Sequence, residues 1–103
     1  MRFLFKISMP AEAGNNMAKK DAFATIAKIL EEQKPEAVYF GAWDGKRTGF
    51  LVVNLNDASQ IPEIAEPWFL SLNAGIDVIP VMVPEDLGKA TPAIERAVKS
   101  YGG

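Results

Sequence analysis

Residues 37–55 read AVYFGAWDGKRTGFLVVNL, two apolar runs on either side of an Asp-Gly turn signal at residues 44–47. An Asp-Gly pair between apolar runs predicts a β-hairpin. A two-residue loop would pair Trp43 with Lys46, and a four-residue loop would pair it with Thr48. In both registers the odd positions of the first strand lie beside the even positions of the second. The hairpin therefore fixes which side chains share a face of the sheet.

Outward from the hairpin, hydrophobic periodicity and capping signals predict the remaining elements. The predicted strands are 2–9, 37–43, 48–55 and 76–83; the predicted helices are 16–33, a second from Asp57 or Ser59 to Asn73, and a last one that opens at Thr91 and Pro92 after a turn at 84–88. Pro67 is expected to kink or restart the second helix. This order predicts an α+β fold of ferredoxin-like βαββαβ topology, with a four-stranded antiparallel sheet and a C-terminal helix, in a single domain over residues 1–103.

Both faces of the hairpin are apolar. One face carries Val38, Phe40, Ala42, Leu51, Val53 and Leu55, and the opposite face carries Tyr39, Gly41, Trp43, Phe50, Val52 and Asn54. The first set is expected to lie under the two helices, which in this topology cover one side only. A second face that met water should alternate to polar residues, and this one does not. A second copy of the chain is the simplest cover, so we predict a homodimer formed by sheet-face contact through Tyr39, Trp43, Phe50 and Val52.

Composition narrows the chemistry that the chain offers. It has 103 residues, of which 49% are hydrophobic and 23% charged, and a net charge of −2, which predicts a soluble globular protein with no nucleic-acid partner. The sequence contains no histidine and no cysteine. This excludes histidine general-base catalysis, histidine-ligated haem, disulfides and almost every zinc site. We therefore expect no cofactor and no bound metal.

The apolar segments also bear on location. No stretch has the roughly 20 consecutive apolar residues that cross a bilayer, so no membrane partner is expected. The N-terminal residues MRFLFK are too short and too alternating for a signal peptide, since Arg2 and Lys6 interrupt the apolar side chains. We expect a cytoplasmic protein.

Four short motifs carry a resemblance to a known family. They are GFLVVN at 49–54, AEPWFL at 65–70, PEDL at 84–87 and PAIE at 92–95. Together they resemble a small bacterial family of uncharacterised proteins in the dimeric α/β-barrel superfamily, over nearly the whole chain. The resemblance implies a ferredoxin-like protomer and a dimer whose two sheets close into a barrel. The resemblance implies no activity, because better-known relatives include cofactor-free monooxygenases, muconolactone isomerase and haem-dependent enzymes. The sequence has no histidine and so differs from the enzymes of this superfamily that bind haem through histidine.

The candidate ligand-binding residues are those with polar tips on the second sheet face. They are Lys6, Tyr39, Trp43, Asn54 and, since the facing of the fourth strand is ambiguous, Asp77 as a further member. In a small pocket, Lys6 would anchor an oxygen-bearing ligand, Asn54 would donate a hydrogen bond and Tyr39 would act as an acid. Lys6 and Asn54 are then expected to line one cavity. The alternative is that the aromatic residues are interface anchors, while Asn54 and Asp77 cap strand edges.

Two classes of function follow from this face. The favoured one is a non-catalytic dimer that binds a small molecule or a protein. The other is a cofactor-independent enzyme, monooxygenase- or isomerase-like, acting on a small aromatic or oxygenated metabolite. The sequence does not decide whether the chain is an enzyme.

Overall fold

The structure, a computed structural model, describes residues 1–11 and 20–103. In chain order the elements are β1 (Arg2–Ser8), α1 (Lys20–Gln33), β2 (Ala37–Trp43), β3 (Lys46–Asn54), a 3-10 turn (Ala58–Gln60), α2 (Ile61–Leu72), β4 (Gly75–Val81) and α3 (Pro84–Tyr101). The predicted start of the first helix, at residues 16–19, lies outside the described residues.

The four strands form one sheet in the order β2-β3-β1-β4. Every neighbouring pair is antiparallel. Trp43 pairs with Lys46, so the hairpin has the two-residue loop and β3 begins two residues earlier than predicted. Both loop residues have positive φ, +55° at Asp44 and +74° at Gly45, as the twist of a tight hairpin requires. The predicted α+β fold with a four-stranded antiparallel sheet is confirmed.

The core lies between one face of this sheet, called here the helix face, and the two helices α1 and α2. Its buried residues are Phe5, Ile7, Met9, Ile26, Ile29, Leu51, Val53, Leu55, Ile64, Ala65, Trp68, Leu72 and Ala74. Trp68 is fully buried. Its Nε1 donates to Gln33 Oε1 at 3.1 Å, and Gln33 Nε2 donates to the carbonyl oxygen of Ile64 at 2.9 Å. The end of α1 is therefore hydrogen-bonded to α2, with the polar tip of the tryptophan satisfied.

The helix α2 is continuous through Pro67, so the predicted restart there is wrong. A proline inside a helix removes one hydrogen bond. Burial of Ile64 and Ala65 before the proline and of Trp68 after it provides the packing that holds both halves in one helix. The predicted end is confirmed, because Asn73 adopts the left-handed conformation with φ of 51°.

The C-terminal region differs most from the prediction. Residues 84–88 were expected to form a turn before a separate helix at Thr91, but Pro84 is already the first residue of α3. The N–H of Val83 donates to Asp86 Oδ2 at 3.1 Å, and this hydrogen bond caps the N-terminus of the helix. Proline is well suited to a first helical position. The helix then continues through Gly88 and Pro92 to Tyr101.

The molecule is elongated because α3 extends away from the core. Its extents are 57 × 29 × 20 Å and its radius of gyration is 17.3 Å, whereas a compact chain of this length would have about 13 Å. No residue of α3 is buried. In the described part of the chain, no helix is long and apolar enough to cross a membrane.

Candidate functional site

The sheet face that α1 and α2 leave uncovered, called here the open face, carries a row of four directly paired residues. Tyr39 pairs with Phe50, Phe50 with Lys6, and Lys6 with Asp77. Paired residues of antiparallel strands point to the same side. The row therefore crosses all four strands and places an aromatic pair, a cation and a carboxylate side by side. It also settles the facing of β4, which puts Asp77 on the open face.

Lys6 is the centre of this row. Its Nζ lies 5.1 Å from the ring centroid of Trp43 and 3.9 Å from Asp77 Oδ2. The lysine side chain is 23% exposed, while that of Asp77 is 70% exposed. The lysine side chain is thus largely covered by its neighbours, and its ion pair with a solvated carboxylate is long and weak.

Trp43 reaches the row from the end of the hairpin. It pairs with Lys46, two rows away from Phe50, yet its ring meets Phe50 edge-on, with centroids 6.0 Å apart and an interplanar angle of 74°. Gly41 stands between them on the same strand face, and the space where its side chain would lie is open. The indole ring therefore extends back along the sheet toward Phe50. The result is an aromatic corner beside Lys6, called here the Lys6 cluster (Lys6, Trp43, Phe50 and Asp77).

The open face is apolar and largely uncovered by its own chain. Tyr39, Trp43 and Ile79 are exposed large side chains, and Phe50 and Val52 are half-buried. All four residues of the predicted dimer interface, Tyr39, Trp43, Phe50 and Val52, lie on this face. Their part in a dimer stays a prediction.

Asn54 lies apart from the Lys6 cluster. In β3 it is four residues beyond Phe50, which corresponds to about 13 Å along a strand. Its Oδ1 accepts a hydrogen bond of 2.7 Å from the N-terminal ammonium group of Met1. The structure thus brings together Lys6, Trp43 and Asp77 of the predicted ligand-binding residues, with Tyr39 one strand further in the same row, and leaves Asn54 at the strand end. That any of them binds a ligand stays a prediction.

The helix face has an additional cavity that the sequence did not indicate. It has a volume of about 430 Å³ and is lined by Met9, Phe23, Ile26, Phe40, Gly41, Arg47 and Thr48. Val38 and Phe40 of β2 point to the helix face, since they pair with Leu51 and Gly49, but they remain exposed. Over their described ranges, Lys20–Gln33 and Ile61–Leu72, the two helices do not extend over this edge strand. Periodicity tells which face a residue occupies, but not how far a helix covers that face.

Within residues 1–11 and 20–103, no three Asp or Glu side chains are grouped closely enough to hold a metal ion. Glu85 and Asp86 lie in the first turn of α3, where negative charge is favourable for the helix dipole.

Comparison with known proteins gives a family and a fold. Residues 1–95 match the family DUF3303, described as a domain of unknown function. All four motifs quoted above fall within the matched region, and the prediction that the chain belongs to a family without an assigned activity is confirmed. A search of curated proteins found no match.

Among solved structures, the chain is similar to 5-chloro-2-hydroxyhydroquinone dehydrochlorinase from Burkholderia phenoliruptrix AC1100, in complex with 2,5-dihydroxybenzoquinone. The TM-score is 0.64 with 17% sequence identity, and the match covers 84% of this chain and 98% of the other. At this identity the likeness concerns the fold. It supports the ferredoxin-like topology read from the strand order.

Proposed function

We propose that this chain, which belongs to the DUF3303 family, is a homodimer that binds a small, flat, oxygenated anion on the open face at the Lys6 cluster. The observation that carries the proposal is the state of Lys6. Its side chain is 23% exposed, and its ammonium group faces the ring of Trp43 at 5.1 Å and has a loose counter-ion in Asp77 at 3.9 Å. A cation whose carboxylate partner is distant and solvated gains from a nearer anionic oxygen.

The aromatic side chains set the shape of the ligand. Trp43 and Phe50 meet edge-on beside the ammonium group, so a flat ring that lies against one of them keeps a ring oxygen near Lys6. Apolar walls with a few convergent polar groups are the usual form of a small-molecule site. The chemistry therefore favours a planar carboxylate or an ionised hydroxyquinone over a flexible or uncharged compound.

A second copy of the chain would complete the site. Large exposed apolar surface on a soluble protein generally marks a partner, and a two-fold symmetric contact between identical faces is the commonest solution. Two sheets stacked about 10 Å apart would place the two Lys6 clusters in a shared interior. Exclusion of water from that interior would strengthen the attraction between Lys6 and an anion.

The known ligand of the structural neighbour guides the choice of probe. That enzyme is described in complex with 2,5-dihydroxybenzoquinone, a flat ring whose hydroxyl groups are acidic because the charge is shared with the quinone oxygens. The same compound has the shape and charge that the Lys6 cluster favours.

Binding without catalysis is the favoured function, and a cofactor-independent enzyme is the second candidate. The Lys6 cluster contains an amine and a carboxylate, and the nearest hydroxyl in its row, that of Tyr39, lies across Phe50. Two strand spacings, about 10 Å, separate Tyr39 from Lys6 in the sheet. The second candidate is a monooxygenase- or isomerase-like reaction on a small aromatic metabolite. One observation supports this second candidate: the structural neighbour is an enzyme that acts on an oxygenated ring.

The remaining partners follow from composition. A net charge of −2 gives no general attraction to nucleic acid or to anionic lipid. We propose a cytoplasmic location for the dimer, because the sequence contains no cysteine for the disulfides that are common in exported proteins.

Calorimetric titration of the wild-type protein tests the function. The panel consists of 2,5-dihydroxybenzoquinone, benzoate and the neutral, equally flat 1,4-dimethoxybenzene. We expect the anions to bind and the neutral ring to bind at least tenfold more weakly. Equal binding of all three, or of none, would overturn the proposal. The absorbance of the quinone, followed with the quinone in large excess over the protein, distinguishes the two candidates: conversion of more than one quinone molecule per chain assigns an enzyme.

A further inference from the structure

The helix α3 has an apolar stripe that no described residue of its own chain covers. Along the helix, large and small apolar residues recur at the spacing of one face: Leu87, Ala90, Ile94, Val98 and Tyr101. The opposite side carries Glu85, Lys89 and Arg96. All the large residues of the stripe are exposed, and Tyr101 reaches 89%. A stripe of this width on a helix of a soluble protein normally faces a core.

The described part of the chain also has an uncovered apolar surface at its opposite edge. Phe23 of α1 and Phe40 of β2 line the same cavity and are 58% and 51% exposed. Val38, two residues before Phe40 on the same strand face, is exposed as well. These three residues, called here the edge patch, lie beside β2, the strand farthest from β4.

The helix does not lie on the edge patch of its own chain. It starts at Pro84, just after β4, and three strand spacings, about 14 Å, separate β4 from β2. The helix and strand that hold the patch make no substantial contact with α3 among the described residues. The two uncovered surfaces are therefore available to a second molecule.

We infer that α3 of one copy packs its apolar stripe on the edge patch of a second copy, and the reverse. A two-fold axis parallel to the strands, between two stacked sheets, brings the β4 edge of each copy beside the β2 edge of the other. The helix that follows β4 then starts next to the patch that it would cover. With 18 residues, it is about 27 Å long, enough to pass around that edge. One closed dimer thus covers three surfaces: the open face, the stripe and the patch.

The charges of α3 favour a protein surface over a membrane surface. Its charged side chains are Glu85, Asp86, Lys89, Glu95, Arg96 and Lys99. Acidic and basic residues are equal in number, whereas helices that lie on anionic membranes are rich in Lys and Arg. A second copy is preferred to an unrelated protein because the chain itself carries the complementary apolar patch.

Disulfide crosslinking between differently labelled copies tests the inference. The chain has no cysteine, so single cysteines report one contact each. A tagged Val98→Cys chain is co-refolded with a Val38→Cys or a Phe23→Cys chain and oxidised. A disulfide requires Cβ atoms about 4 Å apart, so we expect a mixed covalent dimer with at least one patch variant. Arg96→Cys, on the opposite side of α3, is the matched control, and its yield should be at least fivefold lower.

Three results would overturn the inference. The first is a protein that is monomeric in light scattering. The second is a dimer in which the stripe and control variants crosslink equally or not at all. The third is efficient crosslinking of Val98→Cys to itself, which would mean that two α3 helices pair. The inference rests on the same homodimer as the proposed function, but an experiment can reject one of them and leave the other standing. A ligand-binding dimer without the mixed crosslink rejects only the α3 contact.

Discussion

The ammonium group of Lys6 and the indole ring of Trp43 are in contact, with 5.1 Å between Nζ and the ring centroid, although the two residues belong to β1 and β2, which are not neighbours in the sheet. The contact spans β3 and is made over Phe50. A cation over an aromatic face is stabilised by about 0.5–1 kcal/mol when exposed and by about 2 kcal/mol when desolvated. Burial of this face against a second copy would therefore strengthen the interaction between Lys6 and Trp43. The open face then holds one positive charge at a fixed position beside two aromatic rings.

Replacement of this charge gives the first prediction. Lys6→Met keeps the length and the apolar stem of the side chain but removes its positive charge, so we expect the affinity for 2,5-dihydroxybenzoquinone to fall at least tenfold in calorimetric titration. Lys46→Met is the matched control, since Lys46 lies on the same face beside Trp43 but is exposed. The control should bind as the wild type does. Unchanged binding by Lys6→Met would exclude Lys6 as the anchor.

A second prediction concerns assembly. Light scattering of the wild-type protein at micromolar concentration should give about twice the chain mass of 11.2 kDa. In Val52→Asp a carboxylate would be buried between the two sheets with only Leu4 and Ala37 as its directly paired neighbours, so this variant should be monomeric or unfolded. Leu70→Asp places the same charge on the outer side of α2, where Leu70 is 82% exposed, and should leave the mass unchanged. If the wild-type protein is a monomer, the proposed homodimer is wrong.

The sheet, and the face on which each hairpin side chain lies, were predictable because one hairpin determines them. Asp44 and Gly45 mark the turn, and strict alternation carries the facing from there along both strands. The same rule predicted that Tyr39, Trp43 and Phe50 share a face. In β4 both alternating sets are apolar apart from Asp77, so only the pairing with Lys6 in the folded sheet assigns its side.

The C-terminal helix was predicted only in part because its signals are local. Pro84, Gly88 and Pro92 each favour the end or the start of a helix, and read singly they divide the segment. The folded chain uses Pro84 as the start and accepts the other two within the helix. The position of Asn54 was missed for a different reason. Alternation placed it on the correct face, but the distance along the strand separates it from Lys6.

A third prediction concerns pH. The Nε of Arg2 donates to both carboxylate oxygens of Glu36, at 3.1 and 2.8 Å, and this hydrogen bond holds the pKa of Glu36 below its ordinary value of 4.5. A carboxylate with a lowered pKa in the folded state stabilises the protein above its ordinary pKa, and the contribution is lost as the pH falls through the folded-state pKa. The urea midpoint of the wild type should therefore fall as the pH drops below about 4.5.

Two variants separate Glu36 from other acidic groups. Glu36→Gln should lose less stability over this pH range than the wild type, and Arg2→Met should flatten the curve in the same range, because each removes the pair. Asp57 contributes in parallel: the N–H of Ser59 donates to its carboxylate at 2.8 Å and lowers its pKa from 3.8. Asp57→Asn keeps a capping oxygen and should flatten only the most acidic part of the curve. Parallel curves for wild type and Glu36→Gln would show that the pair is too weak to matter.

The final prediction concerns the turn that positions Trp43. Gly45 has a φ of +74°, and its missing side chain would meet nothing within 4 Å, so any cost of substitution comes from the backbone conformation alone. An alanine held at positive φ costs about 1–2 kcal/mol, whereas asparagine adopts this conformation more readily. Gly45→Ala should therefore lower the free energy of unfolding in urea by about 1 kcal/mol, and Gly45→Asn by clearly less. Because Trp43 and Lys46 are the first pair after the turn, the tryptophan emission of Gly45→Ala should also shift toward that of the solvated indole. Equal stability of the two variants would mean that the hairpin tip relaxes to another turn without cost.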